Sequence, residues 1–178
     1  MELNENKLSK WAKEIYDNAT AHGWHDERHS PEHYLGLIMT EVAEAVEADR
    51  KGRRVNEDAY LSQFVGHNTW YQNFVKGTVE EEFSDIVIRL LDMAYDLYGA
   101  DNLFGFGQHS LFRDNKSFIE HAWYFVHDVL NSGMMNVTES VFYVYCWTEH
   151  LGINLDQHIE WKMRYNTLRP YKHGGKRY

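Results

Sequence analysis

Two pairs of acidic residues, each spaced three apart, are the side chains of this sequence best suited to do chemistry. The first pair is Glu41 and Glu44, and the second is Glu82 and Asp85. Residues three apart on a helix project from the same face, so each pair would present two carboxylates together. Both pairs border the apolar stripe of their predicted helix. Packing of the two helices would therefore bring four carboxylates into one place.

Four converging carboxylates repel each other and lose solvation, and either protons or divalent cations can relieve this. Magnesium takes oxygen ligands and binds through a few carboxylates together with substrate phosphates. No histidine follows any of these acids by three residues, which argues against a di-iron carboxylate site. A single pair is typical of a solvated helix face. The two pairs together predict a magnesium site, with manganese as the alternative ion.

Helical periodicity and capping residues predict that the elements carrying these acids belong to an all-α bundle. Ser30 and Pro31 are suited to begin the helix of the first pair. Thr78 and Glu81 form a capping-box pattern before the second pair. The bundle would have about six helices with the acidic metal site between helices two and three, over about 4–21, 31–51, 79–98, 115–131, 137–150 and 155–167.

The remaining segments predict loops within a single domain that spans residues 1–178. We expect loops over 53–77 and 100–114, with a short helix around Leu61–Val65 in the first of them. The segment Val141–Tyr145 has some strand character, but the caps around it favour helix.

Charge and composition exclude several function classes. The net charge is −9, yet residues 161–178 carry six bases and no acid, so an acidic body precedes a basic C-terminal tail. An acidic body argues against nucleic-acid binding, and no apolar run is long enough to span a membrane. The single cysteine, Cys146, and the lack of a secretory pattern at the start favour a cytoplasmic location.

The two acidic pairs and the tail together resemble the MazG-like, all-alpha nucleoside triphosphate pyrophosphohydrolases. The second pair lies in the run Glu-Glu-Phe-Ser-Asp-Ile-Val-Ile-Arg-Leu-Leu-Asp, and the tail run is Lys162 to Gly174. The resemblance extends from Gly23-Trp24 to the end of the chain. The segment between the pairs is longer than in many relatives, and the fourth and fifth predicted helices have no counterpart in the smallest members.

The resemblance implies an enzyme that splits nucleoside triphosphates, with ribose or deoxyribose, into the monophosphate and pyrophosphate. It implies a role in nucleotide-pool house-cleaning and assembly as a homodimer. It also implies magnesium ligation by Glu41, Glu44, Glu82 and Asp85. Either Glu41 or Glu44 would be the general base.

The tail and Trp24 are the predicted substrate-binding residues. The resemblance implies phosphate contacts by Lys162, Asn166 and Arg169, and Lys172 is a further cation for the departing pyrophosphate. Trp24 is a candidate to stack on the base, although with six tryptophans in the chain its type favours a core position.

Other interpretations of the sequence stay open. The chain could be a non-catalytic helical protein that binds a nucleotide or a metal, or a bundle that binds a protein partner. It could also be a phosphohydrolase that releases orthophosphate, since the metal chemistry alone does not select the scissile bond. Zinc binding by the histidines at 25, 29 and 33 ranks low, because a chain with eleven histidines groups some by chance.

Overall fold

The computed structural model describes residues 3–56, 66–99, 112–129 and 137–175, and within these ranges it is all-helical with no strand. The all-α prediction is confirmed. None of the described helices combines the length and apolarity needed to cross a membrane. The helices are α1 Glu5–Ala21, α2 Pro31–Arg50, α3 His67–Phe74, α4 Val79–Tyr98, α5 Phe118–Tyr124, α6 Val137–His150, α7 Leu155–Thr167 and the single turn α8 Lys172–Gly175.

Helix α4 is the central element of the described bundle. Its apolar stripe, Phe83, Val87, Leu90 and Ala94, is fully buried, as a helix packed on several sides requires. It packs most extensively against α2, and then against α1, α7 and α6. The two helices that carry the acidic pairs are therefore direct neighbours.

The ends of α2 and α4 follow the predicted capping signals. The Ser30 side chain accepts a hydrogen bond from the His33 backbone N–H at 3.4 Å, and Pro31 takes the first helical position. Thr78 Oγ1 accepts from the Glu81 backbone N–H at 3.3 Å. Because the caps fix where each helix begins, they also fix the position of the acidic residues along the helix axis.

The predicted loop over 53–77 is wrong in its last third, where the structure contains α3. Trp70 and Tyr71 of this helix are buried in a small second core with Val75 and Tyr165. Gly66 precedes the helix and no side chain caps it, so the local sequence carries little helix signal. The short helix expected at Leu61–Val65 lies outside the described residues.

The predicted helix over 115–131 begins later in the structure, at Phe118, and changes type along its length. A Ser117–Glu120 capping box begins α5 at Phe118, and a π-helical turn, Phe125–Val129, follows it. Val141–Tyr145 is helical within α6, so the strand alternative is wrong. Residues 100–111, most of the loop predicted over 100–114, and residues 130–136 lie outside the described ranges.

Candidate functional site

A cavity of about 1010 Å³ opens between α1, α2, α4 and α7. The loop between α1 and α2 and the end of the tail complete its wall. All nine residues that the sequence nominated for ligand binding or catalysis line this cavity: Trp24, Glu41, Glu44, Glu82, Asp85, Lys162, Asn166, Arg169 and Lys172.

Three carboxylates from α2 and α4 meet in the wall of this cavity. Oxygens of Glu41, Glu82 and Asp85 all lie within 4.8 Å of one another. Glu41 and Glu82 are only 6% and 5% exposed, and Asp85 is half-buried. Glu44 also lines the cavity, but it is exposed and stands outside this group of three. We call Glu41, Glu82 and Asp85 the acidic cluster.

Burial and mutual repulsion make negative charge costly in the acidic cluster. Burial, followed by the nearby charges of Asp85 and Glu81, raises the pKa of Glu82 to about 9. Burial and Asp85 raise the pKa of Glu41 to about 7, against the opposing pull of Arg89. Near neutral pH the cluster therefore holds protons or attracts a cation.

Arg89 is a member of the site that the sequence analysis did not identify. Its Nε donates a hydrogen bond to Glu41 Oε1 at 2.5 Å, which ties α4 to α2 beside the cluster. Arg89 follows Asp85 by four residues and Glu82 by seven, so helical spacing alone places it on their face. That spacing was the signal available in the sequence.

Lys162 is buried against the acids rather than extended into the cavity. Its Nζ lies 2.6 Å from Glu81 Oε1 and 2.6 Å from Asp85 Oδ2, and the residue is 5% exposed. Burial favours the neutral amine, but Asp85 and Glu81 outweigh it and raise the pKa of Lys162. Two of its three N–H groups are thus used within the protein, and a phosphate contact by the third stays a prediction.

Glu80 and Glu81, in the first turn of α4, are both buried and hydrogen-bonded. The Glu80 carboxylate accepts from the Val55 backbone N–H at 3.1 Å. The Glu81 carboxylate accepts from the Gly77 backbone N–H through Oε2, in addition to its ion pair with Lys162 through Oε1. Both oxygens of Glu81 are therefore engaged, which separates it from the acidic cluster.

Two tyrosines enclose the Lys162 ammonium. Tyr71 from α3 and Tyr165 from α7 stack with ring centroids 4.4 Å apart, and Nζ lies 5.8 Å from each ring. The Tyr71 hydroxyl is buried without a hydrogen-bond partner among the described residues. Burial and the neighbouring carboxylates raise its pKa. Tyr71 was not nominated because α3 itself was not predicted.

The basic tail docks on the loop between α1 and α2. The Lys172 backbone N–H donates to the His22 carbonyl at 2.9 Å, and His22 Nε2 lies 2.8 Å from the Arg169 carbonyl oxygen. The Tyr171 hydroxyl donates to the Asp26 carboxylate and its ring covers Gly23. Gly23 has a φ of +79°, and a Cβ there would overlap the Tyr171 ring.

Trp24 and Asn166 form part of the cavity wall near this tail. Trp24 is half-buried, so it is not a core residue, and its ring meets His173 edge-on at a centroid distance of 5.1 Å. The side-chain oxygen of Asn166 is buried with no hydrogen-bond partner in the described part of the chain. Both residues line the cavity, where Trp24 contributes an aromatic ring and Asn166 a buried acceptor oxygen.

The three nominated histidines do not assemble a zinc site. His25 Nε2 donates to Asp92 Oδ1 at 2.9 Å, while the rings of His29 and His33 stack 4.1 Å apart. Among the described residues, the acidic cluster is the only group of three or more metal-ligating side chains within reach of one ion. That donor set consists of oxygens alone, which suits magnesium or manganese better than zinc.

Comparison of the chain with protein-family models, with curated proteins and with solved structures found no match.

Proposed function

We propose that this chain is a magnesium-dependent hydrolase that converts nucleoside triphosphates to the monophosphate and pyrophosphate, within nucleotide-pool house-cleaning. The observation that carries the proposal is the acidic cluster in the wall of the cavity that also holds Trp24, Arg169 and Lys172. A triphosphate needs a hard cation and basic side chains, and a base needs an aromatic surface. The cavity offers carboxylates that could bind the cation, together with the basic side chains and the aromatic ring.

The cluster residues fit a magnesium ion. Glu41 and Asp85 each have one oxygen bonded within the protein, to Arg89 and Lys162, and keep the other for a metal. No described residue donates a hydrogen bond to Glu82, so both of its oxygens are free to bind. A bound magnesium ion would neutralise phosphate oxygens and lower the pKa of a coordinated water.

Other residues of the chain would orient a metal ligand, accept a proton, compensate phosphate charge and bind the base. Arg89 orients Glu41, as hydrogen-bonded partners of metal ligands do. Glu44 stands outside the cluster and is exposed to the cavity, so its carboxylate is better placed than Glu41 to take a proton from the attacking water. Arg169 and Lys172 would compensate the charge of the departing pyrophosphate. Trp24 would stack on the base.

The test is a panel of ribo- and deoxyribonucleoside triphosphates assayed with magnesium, with pyrophosphate and orthophosphate measured separately. The proposal expects equal amounts of monophosphate and pyrophosphate, and no turnover in excess chelator. Release of orthophosphate with nucleoside diphosphate would instead assign the chain to another phosphohydrolase class. Saturable binding of magnesium and nucleotide without any product would assign it to the non-catalytic binding proteins.

Glu44→Gln separates the two candidate bases. If Glu44 takes the proton, this variant keeps its magnesium affinity and loses turnover, while Glu41→Gln loses both. Turnover by Glu44→Gln close to that of the unmodified chain would remove Glu44 from the mechanism.

A further inference from the structure

The Lys162 ammonium occupies a position that a second metal ion would otherwise take. Its Nζ lies 2.6 Å from Glu81 Oε1 and equally far from Asp85 Oδ2. A divalent ion bridging these two carboxylates would sit about 2.0–2.1 Å from each oxygen. Nζ already lies between these two oxygens, so the ammonium and an ion bound to both carboxylates exclude each other.

The surroundings of Lys162 hold its ammonium in place. The residue is 5% exposed, and the stacked rings of Tyr71 and Tyr165 each lie 5.8 Å from Nζ. Aromatic faces attract a cation, and a buried ion pair with two carboxylates is costly to break. The side chain therefore lacks the freedom of an exposed lysine to swing away and admit another cation.

We propose that Lys162 permanently fills a second cation position of the acidic site, so that the chain without nucleotide binds one divalent ion rather than two. The inference depends on the proposed metal site but not on the proposed reaction. The ion would bind the acidic cluster through Glu82 and the unbonded oxygens of Glu41 and Asp85. Asp85 is then shared, with one oxygen on the ion and Oδ2 on the ammonium.

Removal of the ammonium should open the second position. In Lys162→Met, Glu81 Oε1 and Asp85 Oδ2 lose their shared donor, and one buried and one half-buried carboxylate remain without this counterion. Manganese in the buffer can then replace the ammonium. Glu81 Oε2 stays bonded to the Gly77 backbone, so Glu81 keeps its orientation as the new ligand.

The experiment counts manganese ions per chain with no nucleotide present, by electron paramagnetic resonance and by elemental analysis after desalting. The unmodified chain should bind one ion and Lys162→Met two. The double variant Lys162→Met with Glu81→Gln should return to one, because the second position has lost a carboxylate. Glu82→Gln, which lacks a ligand of the first position, measures the background of ions on other acids.

Three results would overturn the inference. They are two ions or none on the unmodified chain, one ion on Lys162→Met, and a Lys162→Met chain that stays unfolded by circular dichroism even when purified in manganese. An unfolded Lys162→Met chain would contradict the inference because manganese at the second position should replace the missing positive charge. A chain that binds one ion but hydrolyses no nucleotide contradicts the proposed function and leaves this inference standing.

Discussion

Two polar clusters lie along α4, and they differ in how many of their carboxylates receive a hydrogen bond from within the chain. The acidic cluster is at the N-terminal half of the helix. The second cluster is at the C-terminal half, where His25 Nε2 donates to Asp92 at 2.9 Å and the Tyr34 hydroxyl donates to Asp96 at 2.8 Å. In the second cluster each carboxylate has a donor from within the chain.

The acidic cluster lacks that balance. Arg89 forms an ion pair with Glu41 and Lys162 forms one with Asp85, but no described side chain neutralises Glu82. Both clusters contain carboxylates along α4, so acid content alone does not separate a self-sufficient hydrogen-bond network from the proposed metal site. The number of hydrogen-bond donors that face each carboxylate separates them. It indicates that the acidic cluster, in the N-terminal half of α4, is the one that needs a ligand.

The largest expected effect comes from Glu82→Gln. We expect turnover to fall by about 10²–10³-fold or more, because a charge that holds the metal against the phosphates is lost. The metal-free variant should nevertheless be more stable than the unmodified chain by about 1–3 kcal/mol at pH 8, since an unpaired buried acid has been replaced by its neutral isostere. Steady-state assays and chemical denaturation in chelator measure the two effects.

Asp96→Asn, in the second cluster, is the matched control for Glu82→Gln. Magnesium-dependent turnover should stay close to that of the unmodified chain, because this cluster needs no added cation. Loss of turnover in Asp96→Asn with retention in Glu82→Gln would reverse the comparison between the two halves of α4.

Magnesium should weaken the pH dependence of stability. The pKa values of Glu41 and Glu82 are raised to about 7 and about 9, so the folded state binds more protons than the unfolded state above about pH 4.5. Metal-free stability should therefore fall as pH rises from about 5 to 9. Magnesium at 100 times its Kd adds about 2.7 kcal/mol, and this gain should be largest at high pH, where protons no longer compete.

Thermal unfolding at pH 5, 7 and 9, with chelator and with magnesium, measures this dependence. The chelator must bind magnesium as well as calcium, because a chelator selective for calcium would not produce the metal-free state. If the metal-free chain became more stable as the pH rises toward 9, this would contradict the raised pKa values.

Arg169→Ala tests the tail separately from the metal site. Loss of one hydrogen bond to a charged phosphate costs about 1.5–3 kcal/mol, which corresponds to a rise in KM of roughly 10–100-fold. Manganese binding should not change, since Arg169 contacts none of the three carboxylates. Arg50→Ala, an exposed arginine at the end of α2 outside the cavity, is the control and should leave KM unaltered.

His25→Gln should have the smallest effect, and only on stability. Burial lowers the pKa of His25, but the hydrogen bond and charge of Asp92 outweigh it and raise the pKa overall. A raised histidine pKa contributes stability that is present below about pH 6.5 and is lost as pH rises through the folded-state value. The variant should lose about 1–2 kcal/mol at pH 6 and less at pH 9, as denaturation at the two pH values would show. A larger loss at pH 9 would contradict a protonated His25.

Local sequence patterns were enough to predict the helices that carry the acids. Caps at Ser30 and Thr78 and the apolar stripes of α2 and α4 are read within one helix, and the observed bounds agree to within a residue. The same patterns missed α3, whose stability comes from packing of Trp70 and Tyr71 against Tyr165, far away in the chain. Propensity and capping carry no information on such distant contacts.

The sequence nominated residues that lie together in the structure, but it did not predict their hydrogen-bond and ion-pair partners. Helical spacing and the family resemblance nominated nine residues, and all of them line one cavity. The partners of these residues depend on distant contacts, such as Lys162 with Glu81 and Arg89 with Glu41. Helix rotation decides which acids join the acidic cluster and which pair with a lysine. A difference of one position separates Glu82, in the cluster, from Glu81, which is paired with Lys162.

The most direct test of the account is anomalous X-ray diffraction from crystals of the chain grown with manganese. The account predicts an anomalous peak about 2 Å from oxygens of Glu41, Glu82 and Asp85, with Lys162 still bonded to Glu81. Crystals in manganese that show no peak between α2 and α4, with these carboxylates turned toward solvent, would contradict it.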